Sequence, residues 1–376
     1  MTSGRPAARS SAVDVLVVGA GVVGLGHALH AMQRGARVAV VERNPYALGA
    51  SVRNFGHGCV TAQDGAALRF ALAARQDWLR LAKDAGFWLR DAGTVVVARA
   101  DDEYAVLEDF RAARGEDVVL LDAAAVRTRV PVAGDVVGGA WLPLDVRVDA
   151  REAAASIARW LARQGVAFHW STSVLGIDGD VVRTSRGQVR ASAVVVAVGH
   201  DVDRLYPEVA AAHAVRRCSL HMLELADPMR TVVAPAVLTG WSLLRYDGFA
   251  VSHALDRVRA RLGATEPAAV EAGLNLMFTQ RPDGDIVFGD THDYGEAVSP
   301  FRDERRDDLL LSQARRLFGT EAVQIRARWR GVYASAPQPF LVASPTPDVR
   351  VVSVTAGIGM TTGFGLAAQV VDGLLG

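Results

Sequence analysis

The apolar positions of this chain fall into two textures. Val13 to Val18 is an unbroken apolar run interrupted only by Asp14, and Ala193 to Val198 is wholly apolar. Runs of this length and character predict strands covered on both faces, as in the middle of a parallel sheet. Between and around them, apolar residues recur at helical spacing. Ala66 to Ala85, with Leu68, Leu72, Trp78 and Leu81 on one side, predicts an amphipathic helix, and Asp101 to Arg114 a second. A third runs from Arg151 to Gln164, with Asp149 as its N-cap and Gly165 as its stop. Arg37 to Val41, Thr94 to Ala98, Ala167 to Thr172 and Val181 to Thr184 read as strands.

From Tyr206 to about Gln324 the signals become antiparallel. Leu276 to Gln280 and Asp285 to Gly289 flank Arg281-Pro282-Asp283-Gly284, whose residue types suit a tight turn. Asp303 to Phe318 reads as a charged surface helix. The last forty residues return to the first texture: a strand at Arg350 to Val354, a glycine-rich turn at Gly357 to Gly363, and a helix at Phe364 to Leu375. The pattern predicts an α/β protein in which a Rossmann-like domain is assembled from residues 13–80, 145–205 and 325–376. A substrate domain on a mixed, largely antiparallel sheet is inserted as residues 81–144 and 206–324, and residues 1–12 form a disordered tail.

The chemistry concentrates at the first strand. Gly19-Ala20-Gly21-Val22-Val23-Gly24 follows it directly, an alanine-containing helix comes next, Gly35 can cap that helix, and a second strand ends in Glu42. In a dinucleotide-binding βαβ unit Gly19 permits the tight turn, Gly21 the approach of a pyrophosphate, and Gly24 close helix-to-strand packing. The helix N-terminus presents free N–H groups and partial positive charge to the phosphates. Glu42 is placed to accept from both hydroxyls of an adenosine ribose, and its charge argues against the 2′-phosphate of NADP.

Bulk properties add bounds. With 41 basic and 41 acidic residues among 376 and 50% hydrophobic content, the composition is that of an ordinary soluble globular protein without the basic excess of a nucleic-acid binder. No segment reaches the ~20 apolar residues of a membrane span. Cys59 and Cys218 are too few for a disulfide framework, so a cytoplasmic location is expected. Lys83 is the only lysine.

Four segments, VVGAGVVGLG with Glu42, GASVRNFGHG, SAVVVAVGHD and VTAGIGMTTGFGLA, together resemble the FAD-dependent amine and D-amino-acid oxidases, the group of glycine oxidase, sarcosine oxidase and D-amino-acid oxidase. The resemblance covers the whole folded chain and implies a GR2-type FAD-binding domain. It implies FAD contacts from Gly19, Gly21, Gly24, Glu42, Arg43, Ser51, Arg53, Asn54, Val174, Gly199, Gly357, Gly359, Met360, Thr361 and Thr362. Arg53 would pair with phosphate oxygens, and N–H groups near Thr361, Thr362 and Gly363 would stabilise negative charge on the flavin ring. Cys59 does not match the cysteine that sarcosine oxidases link to flavin, so FAD is expected to be non-covalent. Sarcosine-type oxidases are implied to use a lysine for oxygen, but Lys83 lies away from every flavin motif. That leaves His57, His221 or an arginine to assist.

Ser51-Val52-Arg53-Asn54-Phe55-Gly56 and Arg328-Trp329-Arg330-Gly331-Val332-Tyr333-Ala334 are similar to a bacterial branch linked to phosphonate catabolism. The implied reaction oxidises 2-aminoethylphosphonate or an N-methylated form, by hydride transfer to flavin N5, to an imine and then phosphonoacetaldehyde, with O2 reduced to H2O2. Alternatives within the resemblance are a glycine, sarcosine or D-amino-acid oxidase, a dehydrogenase passing electrons to a carrier or quinone, and a tRNA-modifying flavoprotein. A phosphonate head calls for arginine forks; Arg216, Arg217, Arg245, Arg328 and Arg330 are the candidates, with Arg330 foremost, and His57 and Tyr333 complete the expected catalytic set. The expected partners are a small amine and O2, with no nucleic acid, membrane or resident metal. A homo-oligomer is left open.

Overall fold

The computed structural model describes residues 12–376, so the tail expected over 1–12 lies outside the described residues except for Ala12. The framework is one long mixed sheet with helices on both faces. Its first section is parallel. Val13–Val18 pairs with Val38–Val41 on one side and Gly187–Val196 on the other; Ala167–His169 extends one edge and Val349–Ala356 the other. All four residues from Val15 to Val18 are buried, which is why the run is apolar on successive positions rather than alternate ones.

The second section is antiparallel through Ile325–Ala343, Arg216–Leu225, Ile286–Gly295, Met277–Gln280 and Ala236–Thr239. A parallel pairing then leads to Thr94–Ala98, followed by antiparallel Gly138–Leu142 and Val119–Asp122. The 19-residue strand Ile325–Ala343 joins the sections: its first half pairs with Arg216–Leu225, its second with Val349–Ala356. The expected turn at Arg281 to Gly284 forms, with Gly284 at φ +97° and Arg281 N–H donating to Asp285.

One apolar core lies between the parallel section and the helices Val22–Gln33, Gly65–Ala85, Ala150–Arg163 and Gly359–Leu375; it includes Leu25, Leu29, Trp78, Ile157 and Phe364. A second core, with Phe110, Phe249, Phe278 and Phe288, underlies the antiparallel section. No helix among the described residues is long and apolar enough to cross a membrane.

Two of the boundaries that differ from expectation bear on the site. The strand expected over Asp285 to Gly289 runs on to Gly295, because both Arg216–Leu225 and the segment before Met277 continue to pair with it. The glycine-rich stretch expected as a turn at Gly357 to Gly363 is helical from Gly359. Its glycines serve close packing instead: a Cβ on Gly365 would lie 2.2 Å from the Phe70 carbonyl oxygen, and one on Gly363 would touch Val23.

Candidate active site

A cavity of about 620 Å3 runs from the first βαβ turn to the antiparallel section. At one end, Gly19 has φ +106° and no room for a Cβ, which would sit 2.5 Å from the Ala197 carbonyl oxygen. A Cβ on Gly24 would lie 1.9 Å from Gly19 O, so helix and loop approach as closely as the glycine spacing demands. Gly21 begins the helix Val22–Gln33, and the Ser51 hydroxyl accepts from Val22 N–H at 2.8 Å. The next amides of that first turn have no intrahelical acceptor.

Glu42 is fixed at the end of the second strand. Its Oε2 accepts from Ala20 N–H and its Oε1 from the backbone and side chain of Asn44, each at 2.9 Å. Each carboxylate oxygen keeps further accepting capacity toward the cavity. Gly19, Gly21, Glu42, Arg43, Ser51, Arg53, Asn54, Val174, Gly199, Gly357, Gly359 and Met360 all line the cavity. Asn54 braces its loop, donating to Ala50 O and accepting from Gly56 N–H. Arg43 pairs with Asp201 at 2.6 Å, whereas Arg53 has no carboxylate partner among the described residues. Glycines that a Cβ would block, a helix N-terminus and a pinned acid fit a dinucleotide.

The helix Gly359–Leu375 points its N-terminus at the same cavity. Its free donors differ from those expected. Thr361 and Thr362 N–H both donate to Ile358 O, at 3.1 and 3.0 Å, and neither residue lines the cavity. The Thr361 hydroxyl instead accepts from Cys59 N–H. Gly359 and Met360 occupy the first two helical positions, line the cavity and have no intrahelical acceptor. They carry the positive end of the helix there.

The far end of the cavity is polar. Arg245 donates through Nη2 to the Tyr333 hydroxyl at 2.6 Å and through Nη1 to the Tyr294 hydroxyl at 2.9 Å. No carboxylate lies within ion-pairing distance of Arg245 among the described residues. Tyr333 is 9% exposed and lies against Gly357, where a Cβ would fall 3.0 Å from the ring. Asp290 is 3% exposed and its Oδ1 has no hydrogen-bond partner; burial pushes its carboxyl up to about 7 against the pull of Arg245. His292 Nδ1 lies 2.8 Å from Gly273 O, and burial lowers this imidazole to about 3. Leu220, Tyr246, Asn275 and Met277 form the walls around these groups.

Several expected residues stand elsewhere. Arg330 does not line the cavity: its guanidinium donates to the carbonyls of Ser299, Pro300 and Phe301, holding that loop. His57 is buried outside the lining, with Nε2 2.7 Å from Thr94 Oγ1. The Thr94 hydroxyl donates to Asp145, so His57 Nε2 is the donor to Thr94, and Nδ1 has no partner. His57, Cys59 and Asp145 bring their ligand atoms within 4.8 Å of one another. Asp145 is already filled by donors from Val60, Thr61 and Thr94, and burial raises the Cys59 thiol, which reads as a hydrogen-bonded core. His221 meets Asp307 at 3.5 Å, as does Arg328 at 3.6 Å. Arg217 is held by Asp201 and Asp203, and Arg216 lies over the Tyr294 ring. Lys83 is exposed near the end of its helix.

Sequence reasoning named Arg245 only as one of five arginines and missed Asp290, His292 and Tyr294. Those three sit at alternate positions of one strand, the spacing that puts side chains on one face. Ending the strand at Gly289 hid that pattern.

The fold is shared with solved structures. Glycine oxidase from Geobacillus kaustophilus superposes with a TM-score of 0.76 at 22% identity, covering 96% of this chain and 95% of that one. L-proline dehydrogenase from P. horikoshii gives 0.78 at 17% identity, with 96% and 92% covered. Iminodiacetate oxidase from Chelativorans sp. BNC1 gives 0.75 at 19%, with 96% and 95% covered. No curated protein matches the chain. Residues 14–372 match the DAO family, described as FAD dependent oxidoreductase, and with that span nearly end to end the chain belongs to this FAD-dependent family.

Proposed function

We propose that this enzyme oxidises a small primary or secondary amine that carries an anionic head, with 2-aminoethylphosphonate or an N-methylated form as the substrate, and O2 as acceptor. The observation that carries this reading is Arg245: a guanidinium in the cavity whose two hydrogen-bonding partners there are neutral phenols. A cation so placed has no carboxylate bonded to it among the described residues, and a substrate oxyanion offers it charge-assisted hydrogen bonds. Glycine oxidase and iminodiacetate oxidase, whose names denote amine substrates bearing carboxylates, support the same chemical class.

Bound FAD, held without a covalent link, would supply the two-electron oxidation of the amine to an imine, hydrolysed to phosphonoacetaldehyde, and would pass the electrons to O2 as H2O2. Gly19 and Gly21 with the Val22–Gln33 helix, which Gly24 lets pack against the loop, would hold its pyrophosphate, Glu42 its ribose, and Arg53 an outer phosphate oxygen. Gly359 and Met360 would place N–H groups against the negative side of the ring. Arg245 and Tyr333 fix the head of the substrate, so the amine end is oriented before oxidation. The apolar side chains of Leu220 and Met277 in the wall would disfavour an ammonium and so favour the neutral amine that oxidation requires.

The test is an anaerobic one. The FAD-loaded protein is mixed with 2-aminoethylphosphonate, its N-methyl form, glycine, sarcosine and D-alanine, and flavin absorbance is followed. Rapid bleaching by the phosphonates is expected. Bleaching by glycine or D-alanine alone would transfer the assignment to a carboxylate substrate, and absence of peroxide under air would assign the electrons to another acceptor.

A further inference from the structure

Asp290 has no role in the anchor described so far, yet it is the most unusual group in the cavity. A buried carboxylate oxygen without a partner is costly, because desolvation is not offset by any hydrogen bond. Asp290 Oδ1 is in that position, in the same cavity as Arg245, whose charge pulls on the Asp290 carboxyl. The backbone explains how it is aimed. His221 pairs with Thr291 and Met222 with Gly289, so Asp290 is the extra residue of a bulge opposite Arg216–Leu225. Bulges redirect a side chain at functional edges. Asn275 clasps the Asp290 backbone on the other side, its N–H donating to Asp290 O at 2.8 Å and its C=O accepting from Asp290 N–H at 2.7 Å.

Arg245 with its two phenols presents donors to an incoming oxyanion, and a carboxylate has two oxygens to satisfy them. A phosphonate or sulfonate has a third. We propose that Asp290 binds the substrate head as a neutral acid, donating to the oxygen that Arg245 and the phenols leave free, so that a three-oxygen anion enters together with one proton. This rests on the reading of Arg245 as the anion anchor and narrows the substrate class to tetrahedral oxyanions. The proton comes from solvent onto the Asp290 carboxylate and stays there while the anion is bound. A bound anion favours that protonated form by repelling the alternative charge.

The groups around Asp290 do not confuse the pH signature. Arg245 stays charged. Burial raises Tyr246 and Tyr333 further above neutrality and takes Cys218 up to about 11. His292, with Oδ1 of Asp290 3.9 Å away and Arg306 beyond it, is lowered to about 3 by burial. Tyr294 is the remaining phenol on this strand.

The probes are ethanesulfonate, with three oxygens and one fixed charge, and propionate, with two oxygens. Each is titrated into the FAD-loaded protein between pH 6 and 9 by calorimetry in two buffers of different ionisation enthalpy, with flavin absorbance in parallel. Ethanesulfonate Kd is expected to rise about tenfold per pH unit once Asp290 ionises, with about one proton taken up per anion at the alkaline end. Propionate is expected to bind more weakly, and in Asp290→Asn, a permanent neutral donor, ethanesulfonate Kd is expected to stay flat. A flat wild-type profile without proton uptake overturns the proposal and needs no variant to do so. An unchanged slope in Asp290→Asn overturns it as well, and equal behaviour of the two probes overturns the third-oxygen contact. If neither anion binds at any pH, the Arg245 anchor itself fails; binding without pH dependence removes the Asp290 role alone.

Discussion

The hydroxyl of Tyr333 receives Nη2 of Arg245 at 2.6 Å while its ring lies against Gly357, so one side chain ties the arginine to the turn before the last helix. That turn leads into the helix N-terminus proposed to face the flavin. On the proposed reading, Tyr333 is the spacer between the head-group anchor and the flavin.

Arg245→Met should raise KM steeply and leave FAD bound. Removing one partner of a buried charge pair costs about 2–5 kcal/mol, so kcat/KM should fall by roughly 30-fold to several thousandfold. Tyr333→Phe removes one hydrogen bond to a retained charge and should cost about 1.5–3 kcal/mol. Steady-state kinetics beside a flavin spectrum separate these losses from loss of cofactor. An Arg245→Met enzyme with unchanged KM would remove the anion anchor from the site.

The last helix offers a paired test of packing. Gly365→Ala sets a Cβ 2.2 Å from the Phe70 carbonyl oxygen, a contact that only backbone movement relieves. Overpacking of that kind costs about 1–3 kcal/mol. Gly373→Ala in the same helix meets nothing within 4 Å and should stabilise by about 0.5–1 kcal/mol, as alanine replaces glycine in a helix. Urea midpoints of the two variants should therefore move in opposite directions.

The same helix shows why part of the fold was legible and part was not. Glycine in GMTTGFGLA carries two meanings, a turn or a close helix crossing, and local preference favours the turn. Only the Phe70 backbone and Val23, both distant in the chain, decide for the crossing. The Gly19 to Glu42 unit was readable because every contact that explains it is local or one strand away. Arg245, in a turn, was one arginine among many until Tyr294 and Tyr333 arrived from two separate strands. Arg330, beside the motif, turned to the carbonyls of Ser299 to Phe301, since a residue pointing away from the sheet's cavity face finds those first. Cavity-facing chemistry in the antiparallel section depends on strand register and on the bulge at Asp290, neither of which is written in residue type.

Asp290 also predicts how stability depends on pH. Its folded-state pKa of about 7 lies above the unfolded value of 3.8, so the folded protein holds the proton more tightly across that window. Stability is then fully present below the unfolded value and lost as pH rises toward 7, by about 4 kcal/mol in total. Asp290→Asn removes this loss. Relative to wild type the variant should gain stability progressively from pH 4 to 7, with no further gain above that, in denaturant titrations of the ligand-free protein. A difference that is constant across this window would mean that Asp290 ionises in the folded protein as it does in the unfolded chain.

On the proposed reading, Glu42 divides cofactor binding from substrate choice. Its carboxylate is held by Ala20 and Asn44 amides and lines the cavity far along the chain from Arg245, on the second parallel strand's end. A hydrogen bond to a charged group contributes about 1.5–3 kcal/mol, so Glu42→Ala should weaken FAD by roughly ten- to 150-fold, read as fluorescence on titration of apoprotein. Part of that loss is the release of the Ala20 amide, which Glu42→Gln keeps satisfied; the glutamine variant should bind FAD more tightly than the alanine one. At saturating FAD both should retain the wild-type ranking of amines. A changed ranking would mean that the adenosine end of the cavity reaches the substrate, and the separation between Glu42 and Arg245 would have to be abandoned.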